Sequence, residues 1–179
     1  NNSLQILETE YNNSGLLFSI TPHPSWSKTP IQNLPDLLAE PYGITKKFTF
    51  DVISEEVEER FTFTKVVQKF GKYPVTGGDM ILKRNKSGQL EAIIGTLREP
   101  AIISEPTLTE ADALNIAHKT LNISDSNYFI DGVIPVKPTI KLKYANIGGI
   151  QTNKVVLCYE LMISTQAPEV WYFYVNATT

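Results

Sequence analysis

Three strand-like runs in succession, at residues 61–97, most constrain what this chain can fold into. The runs are rich in β-branched and aromatic residues, and two clusters of turn-forming residues, 71–78 and 85–88, separate them. In the first run Phe61 and Phe63 alternate with threonines, so one set of side chains would face a core and the other water. Such runs, broken by Gly, Pro and Asn, are typical of consecutive antiparallel strands. The stretch therefore predicts a three-stranded meander.

Two helices are predicted, one on each side of the meander. The first covers residues 33–40, where Pro35 lies in the first turn and Pro41 ends the helix. The second starts at Thr109, which has the spacing of a capping box with Asp112. Its buried face is predicted to be an apolar stripe made of Ala113, Ile116, Ala117 and Leu121.

The other periodic segments are predicted strands. A run at 48–52 precedes the meander, and further runs follow the second helix. These later runs are 140–144, 155–163 and 170–175. The order is helix then strands, twice, with a boundary near 99–106. The pattern predicts an α+β fold of two small subdomains, 1–99 and 100–179, each an antiparallel sheet packed on a helix (cystatin-like).

Composition argues against two classes of partner. The 179 residues have a net charge of -3 and no basic patch, which nucleic-acid binding normally requires. No apolar run approaches the ~20 residues that a membrane helix needs. The polar start at residues 1–3 has no signal-peptide pattern, although removal of a signal peptide would leave such a start. We therefore expect neither a nucleic-acid nor a membrane partner.

Residues suited to catalysis or metal binding are few and scattered. The common zinc-protease, nucleophile-elbow, dithiol and phosphate-loop motifs are absent from the sequence. His23 and His118 lie in different halves, with His118 expected on the solvent side of its helix. Cys158 has no basic neighbour in sequence, which favours a packed thiol, and the acidic residues at 55–59 favour a solvated turn over a calcium site. The sequence therefore predicts no enzyme activity, no metal and no cofactor.

A motif in the meander resembles the fungalysin/thermolysin propeptide (FTP) domain. That family has a glutamine, an aromatic residue two places later, an apolar-Pro-Val sequence and a further glycine. The matching residues here are Gln68, Phe70, Tyr73, Pro74, Val75 and Gly77. Lys72 stands where the family has a glycine, and Gly71 lies one place earlier, which leaves open a differently built turn.

The second half of the chain is similar to a PepSY domain. The matching segments are 106–117, Leu142, Tyr144, 159–161 and 171–177. The two modules in this order resemble the proregion of a secreted thermolysin-like (M4) zinc metalloprotease, or alternatively of a fungalysin. The resemblance implies a secreted or periplasmic, non-catalytic propeptide that acts as an intramolecular chaperone and inhibitor of its fused protease. The alternative is a stand-alone PepSY-type module of the cell envelope or secretome that binds other proteins.

The resemblance also implies a partner surface, which would contact the catalytic domain of the cognate zinc metalloprotease. Free sheet edges can pair with a partner strand, so contacts are expected at the Gly/Pro turn of the first half and near the C-terminus. The expected contact residues are Gln68, Phe70, Tyr73, Pro74, Val75, Trp171, Tyr174, Asn176 and Thr178. The alternative for Phe70, Val75 and Trp171 is a core position, and Gln68 would instead satisfy buried backbone groups.

Overall fold

The computed structural model describes residues 6–13, 15–26, 28–131, 134–147, 154–166 and 169–178. They form an α+β fold with more strand than helix. A turn that the sequence predicts at Gly148-Gly149 lies outside these residues. The helices are α1 (Leu34–Leu38) and α2 (Glu110–Leu121). The strands are β1 (Ile6–Tyr11), β2 (Leu17–Pro22), β3 (Thr49–Val57), β4 (Phe61–Phe70), β5 (Tyr73–Asn85), β6 (Leu90–Gly95), β7 (Glu99–Pro100), β8 (Ile130–Asp131), β9 (Ile134–Pro135), β10 (Thr139–Ala145), β11 (Lys154–Ser164) and β12 (Val170–Asn176).

The predicted meander is confirmed, but its first turn is much shorter than expected. β4, β5 and β6 pair antiparallel in that order. Gly71 and Lys72 alone separate β4 from β5, and Gly71 has a φ of +59° while Lys72 has a negative φ. Glycine at the first of two central positions is what a type II′ hairpin turn requires, so a lysine is tolerated at the second. The departure from the FTP motif at Lys72 therefore still gives a tight turn.

The glycine pair at the end of the predicted turn cluster lies inside β5 and not in a turn. The register between β4 and β5 shifts here, so that Gln68 faces a bulge that contains Gly77 and Gly78. Gly77 takes a φ of +71°, which glycine adopts without strain. Composition alone does not separate a bulge from a turn, because both require the same residue types.

The acidic residues predicted to form a turn are divided between a strand and a turn. β3 continues to Val57, so Glu55 and Glu56 belong to the strand and pair with β4. Glu58 and Glu59 lie in the connection between β3 and β4. All four are exposed, as expected of a solvated cluster.

Strands from both predicted subdomains belong to one continuous sheet. Its order is β1-β2-β6-β5-β10-β11-β12, with β3 paired to β4, β4 to β5, and β7 to β11. β5 and β10 meet in parallel where Val75 lies opposite Tyr144. The sequence predicts two separate sheets, because periodicity indicates which residues form strands and not which strands pair. The division at residue 99 stays a prediction.

The start of α2 is confirmed in detail. Thr109 Oγ1 accepts a hydrogen bond from the Asp112 backbone N at 3.2 Å, and Asp112 Oδ2 accepts one from the Thr109 backbone N at 2.9 Å. This reciprocal pair is the predicted capping box, with aspartate in place of the commoner glutamate.

The buried face of α2 is rotated from the predicted stripe. Ala113 and Ala117 are buried, but Ile116 is 41% exposed. The face turns instead toward His118, whose Nε2 lies 2.6 Å from the hydroxyl of Tyr128. The prediction that His118 faces solvent is therefore wrong. Tyr128 covers its side chain and is its polar partner, and this tyrosine lies beyond the end of α2, where the helical pattern gives no information.

The core of the second half forms along β11, on the face covered by α2. The alternation predicted in this strand is confirmed, because its buried residues include Val155, Leu157, Tyr159, Leu161 and Ile163. Helix α2 contacts both β11 and β12. In the first half, α1 buries Leu34 and Leu38. Neither of the helices described is long and apolar enough to cross a membrane.

Candidate polypeptide-binding edge

The structure separates the expected contact residues into two groups. One group lies where β4 turns into β5, and the other lies on or directly after β12. The first group consists of Gln68, Phe70, Tyr73, Pro74 and Val75. The second consists of Trp171, Tyr174, Asn176 and Thr178.

The first group faces the second half of the chain. Phe70 and Val75 are buried, and Val75 lies opposite Tyr144 of β10. The Tyr144 ring centroid is 5.8 Å from that of Phe70 and 6.3 Å from that of Tyr73, both edge to face. Aromatic pairs favour this geometry. We call Gln68, Phe70, Tyr73, Val75 and Tyr144 the seam cluster, because they join the two segments.

Gln68 is fully buried and serves the fold. Its Oε1 accepts a hydrogen bond from the backbone N of Arg98 at 2.9 Å, and its Nε2 has no hydrogen-bond partner among the described residues. A Cβ on Gly78 would lie 2.8 Å from that Oε1, so glycine is needed for this close approach. The alternative role for Gln68, satisfying a buried backbone group, is therefore the one that the geometry supports.

Burial limits the contacts that the first group can make with a partner. Gln68, Phe70 and Val75 have almost no exposed side-chain surface, so they cannot contact a partner in this conformation. Tyr73 is also buried, whereas Pro74 is half-buried. For the first group, direct contact with a protease stays a prediction for Pro74 alone.

A buried carboxylate, Glu99, was not singled out by the sequence analysis. It accepts hydrogen bonds from the backbone N of Thr45 at 2.7 Å and of Lys46 at 3.2 Å, and it pairs with the ammonium group of Lys154. Burial raises its pKa, but hydrogen bonds from Lys154 and Thr45 outweigh burial and lower the pKa to about 2. Glu99 thus holds the loop after α1 against the first residue of β11. A single acidic residue before a proline carries no sequence signal for such a role.

β12 is an edge strand with exposed aromatic side chains. Among the described residues it pairs with β11 and with no other strand, and its register has no shift. Val170 is 53% exposed, Tyr172 is 65% exposed, and Trp171 and Tyr174 are each 39% exposed. We call these four residues the β12 edge. Exposed apolar side chains that cluster in this way mark interaction surfaces more often than isolated ones do.

The outward backbone groups of β12 belong to alternate residues. Ala177 N donates to Leu157 O at 3.0 Å, which sets the phase of the ladder with β11. Hydrogen-bonded pairs recur at every second residue of an antiparallel ladder. Val170, Tyr172 and Tyr174 therefore direct their amide and carbonyl groups away from β11. A strand of another polypeptide can pair with these groups.

Two other edge strands that the structure describes, β1 and β3, are less suited to pairing. β3 has a bulge at Ile53, and five carboxylates lie within residues 51–59. β1 has register shifts and carries Glu8 and Glu10. Bulges and charged side chains hinder the addition of another strand. β12 has a regular register and a sequence without charged residues.

Glu160, the carboxylate beside Tyr174 on the outer face of the sheet, is paired with Lys143. The hydroxyl of Tyr174 donates to Glu160 Oε2 at 2.7 Å, and Lys143 Nζ lies 2.7 Å from the same oxygen. Burial raises the pKa of Glu160, but hydrogen bonds from Lys143 and Tyr174 outweigh it and lower this pKa. The bond to Glu160, together with burial, raises the pKa of Tyr174 to about 12. The Tyr174 ring is therefore held in place as a neutral phenol.

Asn176 and Thr178 belong to a docked tail. Asn176 Oδ1 accepts a hydrogen bond from Thr178 N at 3.0 Å, and Ala177 O accepts one from Thr107 N at 2.7 Å. The tail therefore packs beside the residues that precede α2. Both Asn176 and Thr178 are half-buried, so part of each side chain is accessible to a partner.

Metal-binding and nucleophilic groups do not converge in the part of the chain that the structure describes. No group of three or more His, Cys, Asp and Glu residues there could hold a metal ion. Cys158 is buried, and desolvation raises the pKa of its thiol to about 11. The predicted packed thiol is confirmed, since a protonated, buried sulfur is a poor nucleophile.

Comparison with known proteins leaves the family open. No family model matches this sequence, and no curated protein matches it. Among solved structures, the Bacillus megaterium YpeB C-terminal domain aligns with 99% of this chain and 85% of its own, at 11% identity and a TM-score of 0.33. A TM-score of this size does not establish a shared fold.

Proposed function

We propose that this chain is a non-catalytic polypeptide-binding domain that serves as the proregion of a secreted or periplasmic thermolysin-like (M4) zinc metalloprotease. Its role would be to assist folding of the protease and to inhibit it until the proregion is removed. The observation that carries the proposal is the β12 edge, which is regular, uncharged and aromatic. The FTP-like and PepSY-like motifs in the sequence support the choice of partner.

Strand addition at β12 is the proposed binding mode. The outward amide and carbonyl groups of Val170, Tyr172 and Tyr174 would bind an extended protease segment, and the aromatic side chains would pack on it. Tyr and Trp contribute large contact area with few rotatable bonds, which favours them at interfaces. No titrating side chain is needed for this mode, because main-chain hydrogen bonds provide the recognition.

Selective binding of the folded protease explains both proposed roles. A domain that binds the native protease and not its unfolded chain stabilises the native state by about 2.7 kcal/mol when its free concentration is 100 times Kd. The same bound domain blocks substrate if it covers the cleft. To cover the cleft, the first and second halves of the chain must keep a fixed arrangement. The seam cluster and the contacts of Glu99 support such an arrangement. We also propose the cystatin-like arrangement for 100–179, where α2 packs on β11 and β12.

The test adds the purified chain in trans to a thermolysin-like protease and follows peptide hydrolysis. We expect inhibition at micromolar concentrations of the chain. Tyr172→Pro removes one outward amide without removing a bond to β11, so it should weaken inhibition by about tenfold or more. The matched control is Val57→Pro, since Val57 lies on the β3 edge and is likewise exposed.

Each outcome of this test has a distinct meaning. Equal inhibition by Tyr172→Pro and the unmodified chain would exclude β12 as the binding edge. Unchanged hydrolysis at every concentration would overturn the proregion proposal. If the chain still binds the protease without inhibiting it, the alternative of a protein-binding module of the envelope or secretome is favoured.

A further inference from the structure

The side chains of β12 form a run of bulky apolar and aromatic residues with Tyr172 near its middle. From Val170 to Val175 the order is Val-Trp-Tyr-Phe-Tyr-Val, with apolar ends and an aromatic middle. If two copies paired antiparallel with a two-fold axis at Tyr172, Val170 would lie opposite Tyr174 of the second copy. On the opposite face, Trp171 would lie opposite Phe173 of the second copy. Cross-strand aromatic and β-branched pairs of this kind stabilise sheets.

The backbone has the phase that this pairing requires. The outward groups are those of Val170, Tyr172 and Tyr174, and these are the residues that would face one another about the axis. Each facing pair in such a ladder exchanges two hydrogen bonds. The three pairs would therefore satisfy every outward amide and carbonyl of these residues. Because the register of β12 on β11 has no shift, the sheet can continue through the axis without a bulge.

Charge also permits this pairing at β12 and opposes it at β3. Val170–Asn176 contains no charged residue, and Glu169 would lie opposite Val175 of the second copy. The same operation on β3 would bring together the carboxylates of residues 51–59 from two chains. Like charges directly opposite each other destabilise a strand pair.

We propose that the β12 edge is a self-association site, at which two copies of this chain pair antiparallel about Tyr172 into one sheet. One strand pair buries less than the roughly 1,200 Å² that marks the low end of stable interfaces, so the dimer is weak and concentration-dependent. The dimer covers the edge proposed to bind protease, and it therefore competes with that binding. This pairing goes beyond the proposed function and holds whether or not a protease is the partner.

The test is a charge exchange at the axis, measured by sedimentation equilibrium. Tyr172→Lys and Tyr172→Glu each place two like charges opposite each other, and Tyr172 is exposed enough to accept either change. Each variant alone should raise the dimer Kd by about tenfold or more. An equimolar mixture of the two variants should restore dimers, because opposite charges then meet at the axis.

Val57→Lys, on the β3 edge, is the matched control and should leave the dimer Kd unchanged. A wild-type chain that stays monomeric at about 1 mM would overturn the proposal. Dimers that form equally well in both charged variants, or a mixture that does not restore them, would also overturn it. Protease inhibition is measured separately, at concentrations where the wild-type chain is monomeric, so that either proposal can fail alone.

Discussion

The seam cluster and the β12 edge have similar composition and opposite environments. Both consist of strand residues and are rich in aromatic side chains, yet Phe70 and Tyr144 are buried while Tyr172 and Trp171 are exposed. The difference comes from pairing. At the seam a second strand and the other half of the chain cover the aromatic side chains, whereas β12 has one described neighbour. An aromatic run therefore becomes core or interface according to what lies on its other side.

The largest contrast is expected from truncating one aromatic residue in each region. Phe70→Ala should lower the free energy of unfolding by about 3–5 kcal/mol, because it leaves a cavity in the core. Tyr172→Ala should change it by no more than about 0.5 kcal/mol, since its side chain is mostly in water. Guanidinium unfolding of both variants measures the difference. Equal losses of unfolding free energy in the two variants would contradict the distinction between a buried seam cluster and an exposed β12 edge.

The next effect concerns the carboxylate that holds the segments together. Glu99→Gln should cost about 2–3 kcal/mol at pH 7, because it removes a charged acceptor from buried hydrogen bonds. The pKa of Glu99 is lowered from 4.5 to about 2, so its stabilisation is fully present above pH 4.5 and is lost as the pH falls toward 2. The gap between the two proteins should narrow over that range in unfolding measurements. Exposed Glu56→Gln is the control, and a gap that stayed constant with pH would contradict the assignment.

A smaller loss is expected from filling the space beside Gln68. Gly78→Ala should cost about 1–3 kcal/mol, because the new Cβ would lie 2.8 Å from Gln68 Oε1. In a Gln68→Ala background the same change should cost less, since the Oε1 atom is gone and the Cβ of residue 68, at 3.0 Å, remains. Thermal unfolding of the two single variants and the double variant gives the coupling. Additive losses would show that the two residues do not crowd each other.

A prediction about reactivity, with no change of stability, concerns Cys158, which lies one strand inside the β12 edge. Its pKa is raised to about 11 by burial, so in the folded chain the thiol should react with a disulfide reagent at pH 8 about 100-fold more slowly than in the unfolded chain. A cysteine introduced by Tyr172→Cys should react at the rate of an exposed thiol. Rapid modification of Cys158 in the folded chain would show that the sheet opens next to this edge.

Much of the fold follows from local patterns in the sequence. The alternation in β11, the capping box at Thr109 and the meander of β4 to β6 are all confirmed, because each depends on residues close together in the chain. The joining of the halves through Val75 and Tyr144 was not predictable, since strand pairing depends on residues about seventy positions apart. The sequence predicts a turn at Gly77 where the structure has a bulge, because bulges and turns require the same residue types.

The candidate site could be predicted only in part. Aromatic residues on β12 were expected to contact a partner, and the structure leaves Trp171 and Tyr174 partly exposed on a strand with one partner strand among the described residues. Contact by Gln68, Phe70 and Val75 was expected from the same resemblance, but these residues are buried. Phe70 packs on Tyr144, and Gln68 faces the bulge of β5. Local sequence does not indicate which strand will end a sheet, and this property distinguishes the two groups.

Amide hydrogen exchange tests the β12 edge most directly. In dilute, monomeric protein the amides of Val170, Tyr172 and Tyr174 should exchange quickly, because they have no partner strand among the described residues. Addition of a thermolysin-like protease should slow these three amides and leave those of Glu55 and Val57 on β3 unchanged. Protection at β3, or none at β12 with the protease bound, would contradict the account.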